Sequence, residues 1–203
     1  MVETITNLGD AALLLPASLL LFGYLCLHND PRRAASLALA TGACLAITVL
    51  AKLAFLALAT ACLHADVHSP SGHTSFGATF YGCGAAVAAS GAAPWRQRLT
   101  WTAAITLILA VAASRVVLGA HTVWEVAIGL AIGASCVGVF LFQVERPRPA
   151  SGFLRLALGV AVLAIVLQGT HLTIEPLLRN VADRLDFAET SRCQVAPRVA
   201  TLP

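Results

Sequence analysis

The sequence predicts an all-α integral membrane protein, a six-helix bundle followed by a C-terminal amphipathic helix. Of the 203 residues, 58% are hydrophobic and only 11% are charged, whereas a typical soluble domain has about 25% charged residues. The mean hydropathy is +0.82. The apolar residues form long runs without the alternation of a membrane β-barrel, so helices are the expected spanning elements.

Six apolar runs are long enough, together with their flanks, to cross a bilayer as helices of about 17 to 25 residues. They comprise residues 11–27, 34–63, 74–93, 99–113, 126–144 and 156–170. A cleavable signal peptide would require a Lys or Arg before the first run. None is present there, so we interpret this run as a retained span. On the fifth run, Gly129 and Gly133 form a small-xxx-small pair that favours close helix packing. We expect residues 1–171 to form one membrane domain with its core at 52–133.

Basic residues mark alternate connections between the runs and thereby orient the bundle. The first, third and fifth connections contain arginines, namely Arg32, Arg33, Arg96, Arg98, Arg146, Arg148 and Arg155. The second connection has no basic residue and the fourth has only Arg115. Because short basic loops stay in the cytoplasm, we expect the second and fourth connections and both termini to face outward. In a bacterial inner membrane this is the periplasmic side.

The tail at 172–203 differs from the rest of the chain. Its acidic and basic residues balance, and its apolar residues recur at helical spacing, which predicts an amphipathic helix at the outer interface. Two interpretations stay open: a surface helix that covers the bundle, or a lid over a functional site.

Charge and residue spacing argue against nucleic-acid and metal binding. The net charge is only +3, and no basic cluster is interleaved with aromatic residues. His64, Asp66 and His68 lie together, but without a second cluster they are better interpreted as a solvated loop. Cys62 and Cys193 lie near or beyond the edges of apolar runs, and a disulfide between them is left open.

Two short polar strings lie at the ends of apolar runs, in the two connections that face outward. One is Pro70-Ser71-Gly72-His73, and the other is Ser114-Arg115-x5-His121-x3-Glu125. Ionisable residues at membrane depth are candidates for a functional site. Lys52, near the outer end of the second run, either joins this site or extends its amine to the interface.

The residue types in these strings suit phosphoryl transfer. His121 and Glu125 are four residues apart and share one helix face, so the carboxylate can orient the imidazole as a nucleophile. The planar guanidinium of Arg115 can bind two phosphate oxygens. Ser71 opens a helix that its hydroxyl can cap and whose free N–H groups attract anions. His73 can donate a proton to a leaving oxygen. Together they predict transfer through a covalent intermediate.

The two strings resemble the second and third signatures of the type 2 phosphatidic acid phosphatase (PAP2) superfamily, over roughly residues 52–133. The resemblance implies that His121 forms a phosphohistidine, that Glu125 orients it and that His73 protonates the leaving group. It further implies a reaction without a metal or other cofactor. The phosphate-binding residues that it implies are Lys52, Ser71, Gly72, Ser114 and Arg115.

Two of the signatures depart from the family pattern. The first signature is a Lys followed, after six residues, by Arg-Pro; counted from Lys52, those positions hold Ala59 and Thr60. In the third signature, the position that usually holds Asp in the family holds Glu125 in this chain. We expect a phosphatase that acts on a lipid phosphate monoester or diphosphate entering from the bilayer. The alternative is a protein that binds or translocates lipid phosphates without turnover; the lipid and the oligomeric state are left open.

Overall fold

The computed structural model describes residues 2–28, 30–60, 69–143, 152–167 and 169. Within these ranges the chain forms seven α-helices and no β-strand, which confirms the predicted all-α class. The helices are α1 (Val2–Asn7), α2 (Ala11–Leu27), α3 (Pro31–Thr60), α4 (Gly72–Ala89), α5 (Pro94–Val117), α6 (Val123–Gln143) and α7 (Phe153–Val166). Six of them coincide with the predicted apolar runs, and α1 was not predicted.

Three of the described helices are long and apolar enough to cross a membrane, at Pro31–Phe55, Pro94–Val117 and Val123–Gln143. Helices α2 and α7 are apolar but shorter. The outward faces are oily: Leu158, Val162 and Ile165 of α7 are each more than half exposed. A contiguous exposed apolar surface of this kind suits a lipid environment. The exact number of six spans stays a prediction, and the predicted C-terminal helix at 172–203 lies outside the described residues.

Helix α4 is the centre of the bundle. It packs against α2, α3, α5 and α6, and twelve of its eighteen residues are buried. Its contact with α6 depends on two glycines: a Cβ on Gly129 would lie 2.8 Å from the carbonyl oxygen of Ser71, and one on Gly133 would lie 2.5 Å from the Cβ of Ala78. The small-xxx-small pair therefore permits the close helix packing that the spacing predicted, and the helix that packs there is α4.

Local signals at the helix ends explain where the chain turns. Asp10 is the N-cap of α2, and its Oδ1 accepts the N–H of Ala12 at 2.8 Å. Helix α5 begins with Pro94, whose fixed φ suits the first helical position. After α5, Gly119 has φ +64°, the left-handed conformation that commonly ends a helix.

At the opposite end of the bundle from the polar strings, Arg33 is buried rather than exposed. Its Nε lies 3.3 Å from Asp30 Oδ2, and its Nη2 donates to Ser90 Oγ at 2.7 Å. This arginine therefore ties the α2–α3 turn to the C-terminal end of α4. Charge pairing of this kind offsets the cost of burying a guanidinium.

Candidate active site

The start of α6 is a capping box built from Thr122 and Glu125. The Glu125 N–H donates to Thr122 Oγ1 at 3.3 Å, and Glu125 Oε2 accepts the Thr122 N–H at 2.8 Å. This reciprocal pair satisfies two amides at the helix start that otherwise have no intrahelical acceptor. It also fixes the position of the Glu125 carboxylate, which is only 3% exposed.

Glu125 also joins the two polar strings. Its Oε1 accepts the Ser69 N–H at 3.0 Å, and its backbone carbonyl accepts the Ser71 N–H at 3.1 Å. The residues just before α4 are thus hydrogen-bonded to the first turn of α6. The structure brings together the two strings that sequence analysis predicted to share one site.

His121 lies directly beside this carboxylate. Its Nδ1 is 3.0 Å from Glu125 Oε2, and its side chain is 15% exposed. Because a carboxylate accepts a hydrogen bond, this contact favours the proton on Nδ1 and leaves the lone pair on Nε2. The loop between α5 and α6, which contains His121, is also hydrogen-bonded to the end of α5. The carbonyl of Arg115 accepts the N–H groups of Ala120 and His121 at 3.1 and 3.2 Å.

The surroundings of His121 favour its neutral form. Burial lowers the pKa of His121 from its ordinary value, and the hydrogen bond and charge of Glu125 oppose this effect. The positive charges of Arg115 and Lys52 add to the lowering. Lys52, predicted from another helix, is therefore close enough to act on this imidazole.

Arg115 is half-buried at the end of α5. Its Nη1 donates to Thr6 Oγ1 at 3.1 Å. In the described part of the chain its Nε is buried and has no hydrogen-bond acceptor. A buried guanidinium N–H without an acceptor is costly, and an oxyanion such as phosphate would satisfy it.

The N-terminal end of α4 carries Ser71, Gly72 and His73. Ser71 is the N-cap residue and is fully buried, but its hydroxyl makes no capping hydrogen bond. It instead accepts a hydrogen bond from Thr74 Oγ1 at 2.9 Å. The predicted helix-start position is thus confirmed, while the expected side-chain cap is wrong because a neighbouring hydroxyl uses that oxygen.

Ser114 is placed differently from the other predicted residues. Its hydroxyl donates to the Val111 carbonyl in its own helix at 2.6 Å, and the residue is buried. This back-bonding satisfies the only proton that the hydroxyl carries. The geometry therefore gives Ser114 a place in helix packing, and its contact with phosphate stays a prediction.

Comparison with known proteins assigns the chain to a family. A family model described as PAP2 superfamily matches residues 16–149. The chain belongs to the PAP2 superfamily. A protein of Klebsiella pneumoniae described as "Uncharacterized 22.5 kDa protein in cps region" is 30% identical over 166 residues, which cover 81% of this chain and 79% of that protein. No solved structure matches the chain significantly.

Membership of the PAP2 superfamily supports a phosphatase-type enzyme, and it matches the resemblance carried by the two strings. The matched region contains every site residue predicted from the sequence, from Lys52 to Glu125. The Arg-Pro positions of the first signature hold Ala59 and Thr60. His64 and His68, interpreted from the sequence as part of a solvated loop, lie outside the described residues.

Sequence reasoning missed two polar residues of the N-terminal segment, Thr6 and Asp10. Asp10 Oδ2 lies 3.5 Å from His73 Nε2, and its carboxylate is also within electrostatic reach of Arg115. The sequence does place Asp10 immediately before an apolar run, which is the typical position of a helix N-cap. Nothing local could show that this residue reaches a histidine more than sixty positions further along.

Proposed function

We propose that this PAP2 protein is a membrane phosphatase that hydrolyses a phosphate monoester or diphosphate of a lipid through a phosphohistidine. The observation that carries the proposal is the His121–Glu125 pair, with a carboxylate on Nδ1 and a lone pair left on Nε2. This is how a histidine is oriented for attack. The buried Arg115 Nε, which needs an acceptor, supports a phosphate beside it.

In the first step, the Nε2 lone pair of His121 attacks phosphorus and forms a P–N bond. The P–O bond to the leaving group breaks, and its electron pair goes to the leaving oxygen. Protonated His73 transfers its proton to that oxygen and becomes neutral. Arg115 and Lys52 stabilise the charge on the remaining phosphoryl oxygens. Electrostatic stabilisation of this kind is the main contribution to the rate of phosphoryl transfer.

In the second step, water attacks the phosphohistidine. The water proton moves to neutral His73, a P–O bond forms, and the P–N bond breaks with its electrons returning to Nε2. Inorganic phosphate leaves, and the enzyme regains neutral His121 and protonated His73. Glu125 retains its hydrogen bond to Nδ1 throughout and stabilises the positive charge that develops on the ring.

The substrate proposal follows from the setting of the site. Apolar helices suggest a membrane protein, and the polar strings lie at helix ends, where a lipid headgroup meets water. We propose that the lipid enters laterally from the bilayer, and that the site faces the periplasm of a bacterial inner membrane. Candidate substrates are phosphatidic acid, phosphatidylglycerol phosphate and isoprenyl diphosphate.

The test uses the full chain purified in detergent and assayed for phosphate release from these three lipids. The proposal expects release in the presence of a chelator, its loss in His121→Ala, and normal release in His28→Ala, which changes an exposed histidine away from the site. Labelled phosphate trapped on the wild-type protein, and absent from His121→Ala, would identify the intermediate. Full activity in His121→Ala would overturn the mechanism.

A second function is a protein that binds or translocates a lipid phosphate without turnover. The residues that favour it are Ala59 and Thr60, because they replace the Arg-Pro of the first signature and remove one phosphate contact. It predicts saturable binding of lipid phosphate that is lost in Arg115→Ala, with no phosphate release from any lipid of the panel. The same assay thus separates the two functions.

A further inference from the structure

The N-terminal segment before α2 lies directly against the candidate site. A Cβ on Gly9 would lie 2.6 Å from Val111 Cγ1 and 3.2 Å from the Cβ of His73, so only glycine permits this approach. The Tyr81 hydroxyl donates to the Leu8 carbonyl at 2.7 Å and fixes the segment from a second direction. This segment precedes the family match, which begins at residue 16. Its contacts are therefore not part of the matched family pattern.

The close packing of Gly9 against α4 and α5 places the charged residue Asp10 at the site. Its side chain is 4% exposed, its Oδ1 accepts the Ala12 N–H at 2.8 Å, and its Oδ2 lies 3.5 Å from His73 Nε2. The positive end of the α2 dipole stabilises an anion at this position. A buried carboxylate held on one oxygen by a helix amide presents its other oxygen in a fixed direction.

We propose that Asp10 is a positioning residue for His73, the proton donor of the proposed reaction. The carboxylate attracts the imidazolium through Nε2 and orients the ring, so that Nδ1–H transfers the proton to the leaving oxygen. The separation of 3.5 Å is longer than a hydrogen bond, as is common before substrate binds, and it shortens in the complex. This inference rests on the proposed phosphatase function and adds a residue that the two strings do not contain.

A residue that positions the proton donor has a kinetic effect that a purely structural residue does not have: its loss makes the rate depend on the leaving group. An alkyl phosphate releases a weakly acidic alcohol and needs the proton, whereas a nitrophenyl phosphate releases a stable anion and hardly needs it. Loss of a residue that orients the proton donor therefore slows the first substrate far more than the second. Damage to the fold, or to the phosphate site, slows both alike.

The experiment compares kcat/KM, which contains only the steps up to departure of the leaving group, for a short-chain phosphatidic acid and for nitrophenyl phosphate in four variants. Asp10→Asn keeps an N-cap residue and removes the charge. We expect kcat/KM to fall by about ten- to a hundredfold on the alkyl phosphate and by less than about threefold on the aryl phosphate, as for lost general-acid catalysis. His73→Ala should show the same selectivity, and the double variant should be no worse than His73→Ala, since both changes affect one function. Glu3→Gln, an exposed residue of the same segment, is the matched charge control and should behave as wild type.

The outcomes separate the inference from the proposed function. If wild type hydrolyses neither substrate, the proposed function fails and this inference fails with it. If wild type is active and Asp10→Asn slows both substrates equally, or neither, the inference alone is overturned. Should Asp10→Asn not be monodisperse in detergent, Asp10→Glu decides: it retains the charge and should keep most activity on the alkyl phosphate. Equal loss on both substrates in that variant would also overturn the inference.

Discussion

Glu125 Oε2 lies 3.0 Å from His121 Nδ1, and the same oxygen accepts the Thr122 N–H at 2.8 Å. One carboxylate thus caps α6 and orients the imidazole just before it. Glu is one of the two residues, with Gln, that a capping box uses three positions after its Thr. This accounts for Glu125 at a position where the family signature usually has Asp, because the longer side chain can reach back to Thr122 and also contact His121.

Replacing Glu125 with Gln should separate these two roles. Gln is also accepted at this position of a capping box, so α6 should still begin at the same residue. The single amide oxygen of Gln cannot accept from both Ser69 and Thr122, so we expect a modestly lower melting temperature. The neutral amide cannot stabilise a positive imidazole, and we expect kcat to fall by about 10²- to 10⁴-fold, as when the orienting carboxylate of a catalytic histidine is lost. Steady-state phosphate release checks this, and wild-type kcat in Glu125→Gln would contradict it.

The pH profile should report the neutral form of His121. Since burial lowers the pKa of His121 below its ordinary value of 6.5, the nucleophile stays neutral into mildly acidic solution. The acid limb of kcat/KM, which reflects the free enzyme, should therefore lie below pH 6.5.

Glu125→Gln should move this limb further toward acid. Both effects of Glu125, its hydrogen bond and its charge, raise the pKa of His121, and the substitution removes the charge. The substrate's own second ionisation, at about pH 6, is the same for both proteins, so the difference between the two profiles reports the enzyme. A shift of the limb to higher pH would show that another group controls it.

Close packing of α4 on α6 should be as important as the charged residues. A methyl group on Gly129 would meet the Ser71 carbonyl at 2.8 Å, so Gly129→Ala must push the two helix starts apart. Overpacking of this kind costs about 1–3 kcal/mol. We expect a lower melting temperature and a marked loss of activity, because Glu125 would lose its contacts with Ser69 and Ser71.

Gly138 provides the matched control on the same helix. A Cβ there meets nothing within 4 Å, so Gly138→Ala should keep wild-type activity and thermal stability. Equal effects of the two substitutions would mean that helix propensity, rather than the approach of α4 to α6, determines the result.

Much of the fold could be predicted because its signals are local. Apolar runs located the six longer helices, and the spacing of Gly129 and Gly133 predicted close packing at that face, though not the partner helix. The two polar strings meet because one lies at the start of α4, the other runs from the end of α5 into the start of α6, and α4 packs on α6 through these glycines. The side-chain cap expected at Ser71 was wrong because Thr74 donates to the same oxygen, a choice that depends on three-dimensional rotamers.

The contribution of the N-terminal segment could not be predicted. Thr6 and Asp10 precede the first long helix, where polar residues ordinarily mark a solvated end. Their partners, Arg115 and His73, belong to helices that reach them only after the bundle has formed. The small volume of Gly9, which permits the approach, has no distinctive pattern in the sequence.

The contact between Thr6 and Arg115 allows a last prediction. The Thr6 hydroxyl accepts the Arg115 Nη1 donor at 3.1 Å, and Thr6 is buried. Thr6→Val keeps the shape and removes the acceptor, which leaves the guanidinium less firmly positioned for phosphate. A hydrogen bond to a charged group contributes about 1.5–3 kcal/mol, and its lower end corresponds to roughly a tenfold change in affinity.

We therefore expect KM for the lipid phosphate to rise about tenfold in Thr6→Val while kcat changes little, because lost binding that is equal in ground and transition states raises KM alone. The comparison with Asp10→Asn is informative, since that variant should lower kcat/KM selectively for the alkyl phosphate. Thr6→Ser, which retains the hydroxyl, should restore KM. If Thr6→Val instead lowered kcat/KM with the leaving-group selectivity of Asp10→Asn, the segment would act on His73 as a whole, and Thr6 would have no separate effect through Arg115.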